Sequence, residues 1–238
     1  MKKIKLFCLP YACGSAAMYH SWENLFDNCI EIFPIELNGR GSKSDKPFSK
    51  SINEAAEDLL SFIISNASGA DYAFFGHSMG ALISYELVHS LLENGFKQPC
   101  HMFFSGNYPP HIEKRKSMLF LENDASIIQE LKRLGGFPEE LLSNRDFMSF
   151  YLPVVRADAK LVETYQYKPR ETKLTCDISI FASDGDEKAP LCDMHDWCYH
   201  TDGTCAVYKM NGGHFFINEE VDFITGIINK VLLGTMNK

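Results

Sequence analysis

The feature that most constrains this chain is the pentapeptide Gly76-His77-Ser78-Met79-Gly80. It lies between the apolar run Tyr72–Phe75 and a helical pattern carrying Ile83, Leu87, Val88, Leu91 and Leu92. A serine flanked by glycines at a strand-to-helix boundary implies a turn too tight for side chains at the flanking positions. Such a turn lifts the serine Oγ clear of a sheet and leaves it at a helix N-terminus. There, backbone N–H groups and the helix dipole favour a developing negative charge. The plain alternative is a structural glycine-rich connection. In this context the pattern points to Ser78 as a nucleophile.

Strand and helix patterns alternate around that turn. Ile4–Leu9, Cys29–Ile35, His101–Ser105, Cys176–Ala182 and Thr204–Lys209 read as further strands. Ser51-Ile52-Asn53-Glu54 is a capping box. It opens a helix with Ala55, Ala56, Leu59, Leu60, Ile63 and Ile64 on one face. Gly95 closes the helix after Ser78, and Val221, Ile224, Ile228 and Val231 mark a last amphipathic helix. Repeated units of this kind predict an α/β fold, a mostly parallel central sheet flanked by helices. The stretch from about 107 to 170 breaks the rhythm. It holds helical patterns, Gly135-Gly136 and five prolines (Pro109, Pro110, Pro138, Pro153 and Pro169), with no convincing strand. A single domain over residues 1–238 with a helical lid inserted at about 107–170 is expected.

Composition narrows the function classes. The 238 residues suit one domain, and 45% hydrophobic with 23% charged residues is ordinary for a globular chain. A net charge of −8 argues against nucleic acid and anionic membranes as partners. No run approaches the roughly 18 apolar residues needed to span a bilayer. Met1-Lys2-Lys3 before an apolar stretch resembles an export signal, but Lys5 interrupts that stretch and Pro10 breaks it, so a buried first strand is expected. The eight scattered cysteines then read as free thiols in a reducing cytoplasm. Cys192, His195, Cys198, His200 and Cys205 lack the tight spacing of a zinc site, so no metal is expected.

A serine nucleophile needs a base, and the base needs an orienting acid. In this architecture they follow in the order Ser, Asp, His. His214, in Asn211-Gly212-Gly213-His214-Phe215-Phe216 between the last strand and last helix, stands where the base belongs. The acid belongs after the strand ending near Ala182, where Asp184, Asp186 and Glu187 all qualify. An oxyanion hole takes one N–H from the residue after the nucleophile, Met79, and another from the loop after the first core strand. In Leu9-Pro10-Tyr11-Ala12-Cys13-Gly14 the donor is expected at Ala12, with Tyr11 next.

These residues resemble, nearly end to end, the type II thioesterases that accompany nonribosomal peptide and polyketide synthases, members of the α/β-hydrolase superfamily. Leu9–Ala16 with Tyr19 and Trp22 is similar to that family's P-x-A-G-G-S-A…W opening, and Glu36–Gly41 resembles its "PGR" segment. The elbow is identical. Leu134–Pro138 and Leu152–Asp158 resemble its lid motifs, which general esterases lack. Asp186, Trp197 and Gly213–Phe216 fall where the family has its acid, a tryptophan and G-H-F-F, and this register selects Asp186 over Asp184. Two positions depart from the pattern: Cys13 stands where the family usually has glycine, and Ser183-Asp184 replaces a glycine-rich approach to the acid.

The resemblance implies hydrolysis of acyl groups from the phosphopantetheine arm of acyl- or peptidyl-carrier proteins, with no cofactor of its own, by a cytoplasmic monomer. It implies a Ser78–His214–Asp186 triad, with Tyr11, Phe137 and Phe215 against the substrate. Met118, Leu119, Phe120, Leu131, Leu134, Phe137, Phe147, Phe150, Tyr151 and Leu152 are candidates for an apolar acyl chamber, or for packing between lid helices. Lys114, Arg115, Lys116, Lys132 and Arg133 are candidates for steering an acidic carrier, or a solvated helix face. The same triad also serves a free-standing carboxylesterase acting on small oxygen esters, and a binding protein could retain the fold without turnover.

Overall fold

The computed structural model describes residues 3–113 and 118–236. Six strands form one sheet: β1 (Ile4–Leu9), β2 (Ile30–Pro34), β3 (Asp71–His77), β4 (His101–Ser105), β5 (Asp177–Ser183) and β6 (Cys205–Met210). Their order is β2-β1-β3-β4-β5-β6 and every pairing is parallel. The helices are α1 (Ile52–Ala67), α2 (Met79–Glu93), α3 (Asp124–Leu134), α4 (Glu139–Ser143), α5 (Arg145–Thr164), α6 (Leu191–Met194), α7 (Phe216–Glu219) and α8 (Val221–Thr235). The sequence-derived strand bounds agree within a few residues. The predicted α/β-hydrolase architecture is therefore the one observed.

Side chains alternate across the sheet, as the strand period dictates. Phe7, Phe74, Phe104 and Ile180 face α1 and α2, whereas Leu6, Phe75, Phe103 and Phe181 face Trp22 and α8. Helix α2 is buried from Met79 to Leu91, packed between the sheet and α1, which itself reaches the sheet through Phe62 against Phe7. The capping box at α1 is shifted by one residue. Ser51 Oγ accepts from Glu54 N–H (3.1 Å), but the Glu54 carboxylate reaches back to the N–H of Lys50 (2.9 Å).

Strand order reverses between β1 and β3, since β1 leads outward to β2 and β3 leads the other way to β4. At such a switch point the loops leaving the two strands diverge and open a crevice at their carboxyl ends. The loop after β1 and the Ser78 turn flank that crevice. Between β4 and β5 the described residues of 107–170 form α3, α4, α5 and a short 3₁₀ turn, with no strand. This insertion has a small apolar core of its own, made by Ile127, Leu131, Leu142, Met148, Leu152 and Val155.

Candidate active site

Ser78 joins β3 to α2 with φ +53° and ψ −116°, backbone that a Cβ makes costly. The sheet holds it there. Its N–H donates to the Ser105 carbonyl at the end of β4 (2.8 Å), and its carbonyl accepts from Asn107 Nδ2 (2.8 Å). Asn107 is fixed in turn by the Trp197 indole N–H, which donates to its backbone carbonyl (2.8 Å), and Trp197 stacks on Phe104. Both flanking glycines are required by space. A Cβ on Gly76 would lie 2.7 Å from the Ala81 nitrogen, and one on Gly80 would lie 2.8 Å from the Pro10 carbonyl oxygen. The turn closes on itself, and the loop after β1 rests on the first turn of α2.

His214 follows β6. Its Nε2 is 3.0 Å from Ser78 Oγ, and its Nδ1 is 2.8 Å from Asp186 Oδ2. A carboxylate accepts only, so Nδ1–H donates to Asp186, and Nε2 is left to accept the Ser78 hydroxyl hydrogen. Asp186 is buried, and its other oxygen accepts the N–H groups of Lys188 (2.8 Å) and Ala189 (3.1 Å). Burial alone would raise its pKa. The hydrogen bonds from His214 and from those two N–H groups outweigh that and hold it below the usual carboxylate range. Asp184 turns outward to Lys209, and Glu187 pairs with Arg133. Of the three carboxylates open on sequence, Asp186 is the one bonded to His214.

The acid turn and the histidine loop are stitched together where the sequence departs from the family pattern. Ser183 Oγ donates to the Gly212 carbonyl and accepts from Gly185 N–H (3.1 Å), so Ser183 fixes the distance between the two loops. His77 adds a second tie. Its Nε2–H donates to the His214 carbonyl (2.9 Å), which makes Nδ1 the acceptor for the Ser105 hydroxyl (2.8 Å). Burial, then the neighbouring His214, push its pKa down to about 3. His77 is thus a support for the histidine loop. Its place inside the pentapeptide was the available signal. Asn107 gave none.

The loop after β1 supplies the remaining part. Gly14 N–H donates to the Tyr11 carbonyl (2.9 Å), closing a turn whose third residue, Cys13, has φ +70°. In a trans peptide the Tyr11 C=O and the Ala12 N–H point in opposite directions. Tying the carbonyl inward therefore turns the Ala12 N–H out of the turn. Met79 N–H belongs to the first turn of α2, where helix N–H groups lack intrahelical acceptors. The Tyr11 side chain is buried edge-on against His77 and Phe215, beneath the histidine loop. Phe215 lies against His214 and Gly136, and Phe137 packs on Tyr151.

Other expectations land differently. Leu131, Leu152, Leu119, Phe137, Phe147 and Tyr151 pack within or against the insertion's own core, and Phe150 points to solvent, 75% exposed. Lys132 pairs with Glu139, and Arg133 with Glu130 and Glu187, so both cations are engaged within the chain. Lys114, Arg115 and Lys116 lie outside the described residues. Cys198 and Cys205 are joined as a disulfide, which corrects the expectation of eight free thiols. The 3₁₀ turn carrying Cys198 lies beside the start of β6, leaving 5.3 Å between the two Cα atoms. Among the described residues no three His, Cys, Asp or Glu side chains are grouped to hold a metal ion.

A hydroxyl bonded to a neutral imidazole, an acid fixing the imidazole tautomer and N–H groups at a helix start together suit acyl transfer. Comparison with known proteins agrees with that chemistry. The thioesterase domain family matches residues 4–232. The gramicidin S biosynthesis protein GrsT of Aneurinibacillus migulanus is 35% identical over 217 residues, 91% of this chain and 84% of that one. The thioesterase PikA5 of Streptomyces venezuelae is 31% identical over 232 residues, 98% of this chain and 82% of that one. Among solved structures, ClbQ from the colibactin nonribosomal peptide and polyketide pathway superposes with a TM-score of 0.92 at 31% identity, covering 99% of both chains.

Proposed function

From the premise that this chain belongs to the thioesterase family, we propose that it is a serine thioesterase clearing acyl groups from carrier proteins of a nonribosomal peptide or polyketide synthase. The observation that carries the reading is the hydrogen-bonded chain from Ser78 through His214 to Asp186, set in a fold shared over nearly its whole length with ClbQ.

In this reading His214 Nε2 takes the Ser78 proton as Oγ attacks the thioester carbonyl. The oxyanion accepts hydrogen bonds from Met79 and Ala12 N–H. The carbon–sulfur bond breaks and the pantetheine sulfur leaves as a thiol, taking the proton from the His214 imidazolium and needing less acid help than an alkoxide. Water, giving its proton to His214, then attacks the acyl-serine, releasing a carboxylic acid and restoring Ser78. Asp186 keeps the imidazole in the reactive tautomer and stabilises the imidazolium. The phosphopantetheine belongs to the partner, and no cofactor enters the cycle. The insertion at 107–170 serves as the lid of a single domain, with Phe137, Phe215 and Tyr11 shaping the substrate side. The enzyme works as a cytoplasmic monomer, with neither nucleic acid nor a membrane as partner. Among the described residues no helix is long and apolar enough to cross a membrane.

The test is hydrolysis of acetyl- and longer acyl-phosphopantetheinyl carrier protein beside the same acyl groups as p-nitrophenyl esters, for wild type and Ser78→Ala. Preference for the carrier, lost in the variant, is expected. Equal hydrolysis of free esters with the carrier ignored would assign the enzyme to small oxygen esters instead.

A further inference from the structure

The turn after β1 contains a residue that its conformation disfavours. Cys13 has φ +70° at the third position of a turn closed by Gly14 N–H on the Tyr11 carbonyl. This is the type II pattern, in which that position is ordinarily glycine. A left-handed conformation is costly for any residue that carries a Cβ. Without compensation the central peptide, Ala12–Cys13, would flip to the alternative in which the third residue has negative φ.

Compensation comes from a distant helix. The Cys13 N–H, which belongs to that central peptide, donates to Asp158 Oδ2 (2.6 Å). The Cys13 carbonyl accepts from the Tyr151 hydroxyl. Asp158 and Tyr151 are two turns apart on α5, so they share one face of the helix. Arg40, from the loop after β2, completes the arrangement. Its Nη1 donates to Asp158 Oδ2 (2.6 Å) and to the Gly14 carbonyl (3.1 Å), and its Nη2 donates to Asp158 Oδ1. Asp158 is fully buried and Arg40 is 7% exposed. The charge-assisted, two-pronged pairing fixes the carboxylate so that its remaining capacity is aimed at the turn.

We propose that Asp158 and Tyr151, with Arg40 behind them, are positioning residues for the oxyanion hole: they hold the Tyr11–Gly14 turn in the conformation that presents the Ala12 N–H to the tetrahedral intermediate. The inference rests on the proposed acyl-transfer chemistry and deepens it. A flipped central peptide turns the Cys13 N–H away from Asp158 and breaks the tie to Tyr151, so the Tyr11–Gly14 turn that carries the Ala12 N–H is no longer anchored against the oxyanion. Because the clamp is carried by α5, completion of the hole requires the insertion to be seated over the crevice. An acyl group bound with the insertion displaced meets Ser78 and His214 with half an oxyanion hole.

The experiment uses the full chain and two substrates, an acyl-phosphopantetheinyl carrier and p-nitrophenyl acetate, for wild type, Tyr151→Phe, Asp158→Asn and Tyr151→Phe combined with Cys13→Gly. Thermal melting monitors folding. Removing one oxyanion donor outright costs about 10²–10³ in kcat, so a loosened donor should cost roughly 10–100-fold. Tyr151→Phe keeps the ring and is the variant least exposed to folding loss. It should lower kcat on both substrates by that factor while KM stays within about twofold, since uniform binding is untouched. Affinity for a trifluoromethyl ketone, whose adduct carries the oxyanion, should weaken by the same factor. Asp158→Asn should lower kcat at least as far.

The decisive arm is the double variant. Glycine adopts positive φ without cost, so Cys13→Gly should return most of the kcat lost in Tyr151→Phe. Unchanged kcat in Tyr151→Phe, a loss confined to KM, or a loss that glycine does not recover would each overturn the proposal. Wild type that cleaves p-nitrophenyl acetate but ignores the carrier would instead overturn the substrate assignment, and the clamp is still judged on the ester.

Discussion

Two residues of this site have a Cβ and left-handed backbone, and different parts of the molecule hold them there. Ser78, at φ +53°, is gripped by the sheet through Ser105 and Asn107, with Gly76 and Gly80 making room. Cys13, at φ +70°, is gripped by Asp158 and Tyr151 of α5, well over a hundred residues further along the chain. The first grip belongs to the central core. The second runs through α5, whose Met148, Leu152 and Val155 lie in the insertion's own apolar cluster while Leu161, beyond Asp158, joins the central core. Strain stored against the core persists as long as the protein is folded. Strain stored against a separable element is released when that element moves. On the proposed chemistry, the Ser78 geometry lasts as long as the fold, whereas that of the loop after β1 depends on α5 keeping its place.

The sharpest way to isolate the first grip from the second is to spare both and remove the acid. Asp186→Asn leaves Ser78 and Cys13 where they are but no longer enforces the imidazole tautomer. By analogy with other triads kcat should fall on the order of 10⁴, with little change in KM, measured on the carrier thioester. A fall below about tenfold would mean that another group orients His214. Next in size is damage to the elbow itself. Gly76→Ala forces a Cβ against the Gly80–Ala81 backbone, which cannot yield without opening the turn. Unfolding free energy from urea titration should drop by more than about 3 kcal/mol. Tyr151→Phe, cutting the second grip, should cost no more than roughly 1.5 kcal/mol. Comparable losses in the two variants would erase the distinction between core-held and insertion-held strain.

A milder cut at the elbow is Asn107→Ala. It removes the donor to the Ser78 carbonyl while leaving the backbone carbonyl that accepts from Trp197. The nucleophile keeps its glycines and its bond to Ser105 but gains freedom about ψ. A roughly tenfold loss in kcat is expected, since angström-scale misplacement of reacting groups costs up to about 10². Labelling of Ser78 by a fluorophosphonate should slow in parallel. An unchanged labelling rate would show that Ser105 and the glycines suffice.

The same division explains what could be read from the sequence. The elbow is local: glycine, serine and glycine within five residues, between an apolar run and a helical period, state their own geometry. The base was legible because chain order places it and a Gly-Gly loop presents it. The acid was less so. Asp184, Asp186 and Glu187 are equivalent on spacing, and what separates them is the approach of 183–185 to Gly212, made by Ser183 across the sheet. The clamp on Cys13 was invisible for a stronger version of the same reason. Leu152–Asp158 and Glu36–Gly41 could be recognised as motifs, but nothing in either says that Asp158 and Arg40 meet each other and the Cys13 N–H. Lys132 and Arg133 looked available because their acidic partners Glu139, Glu130 and Glu187 are chosen by the packing of the insertion.

The finest test of the core-held side concerns His77, which joins the elbow to the histidine loop through the His214 carbonyl. Burial and the nearby His214 hold it neutral, with a pKa of about 3 in the folded chain against about 6.5 in an unfolded one. Between those values the unfolded state binds a proton that the folded state refuses. Stability from this group is therefore complete above about pH 6.5 and declines as pH falls toward 3, by roughly 1 kcal/mol per pH unit. His89 and His200, both lowered to about 4 by burial, act in the same direction. Asp186, held below its ordinary value, adds its loss only under about pH 4. Urea titrations at pH 8, 6 and 5 should show a sloping acid limb, and His77→Asn should flatten it by one proton. If the limb keeps its full slope in that variant, His77 is protonated without cost, and the tie between elbow and histidine loop is looser than its hydrogen bonds imply.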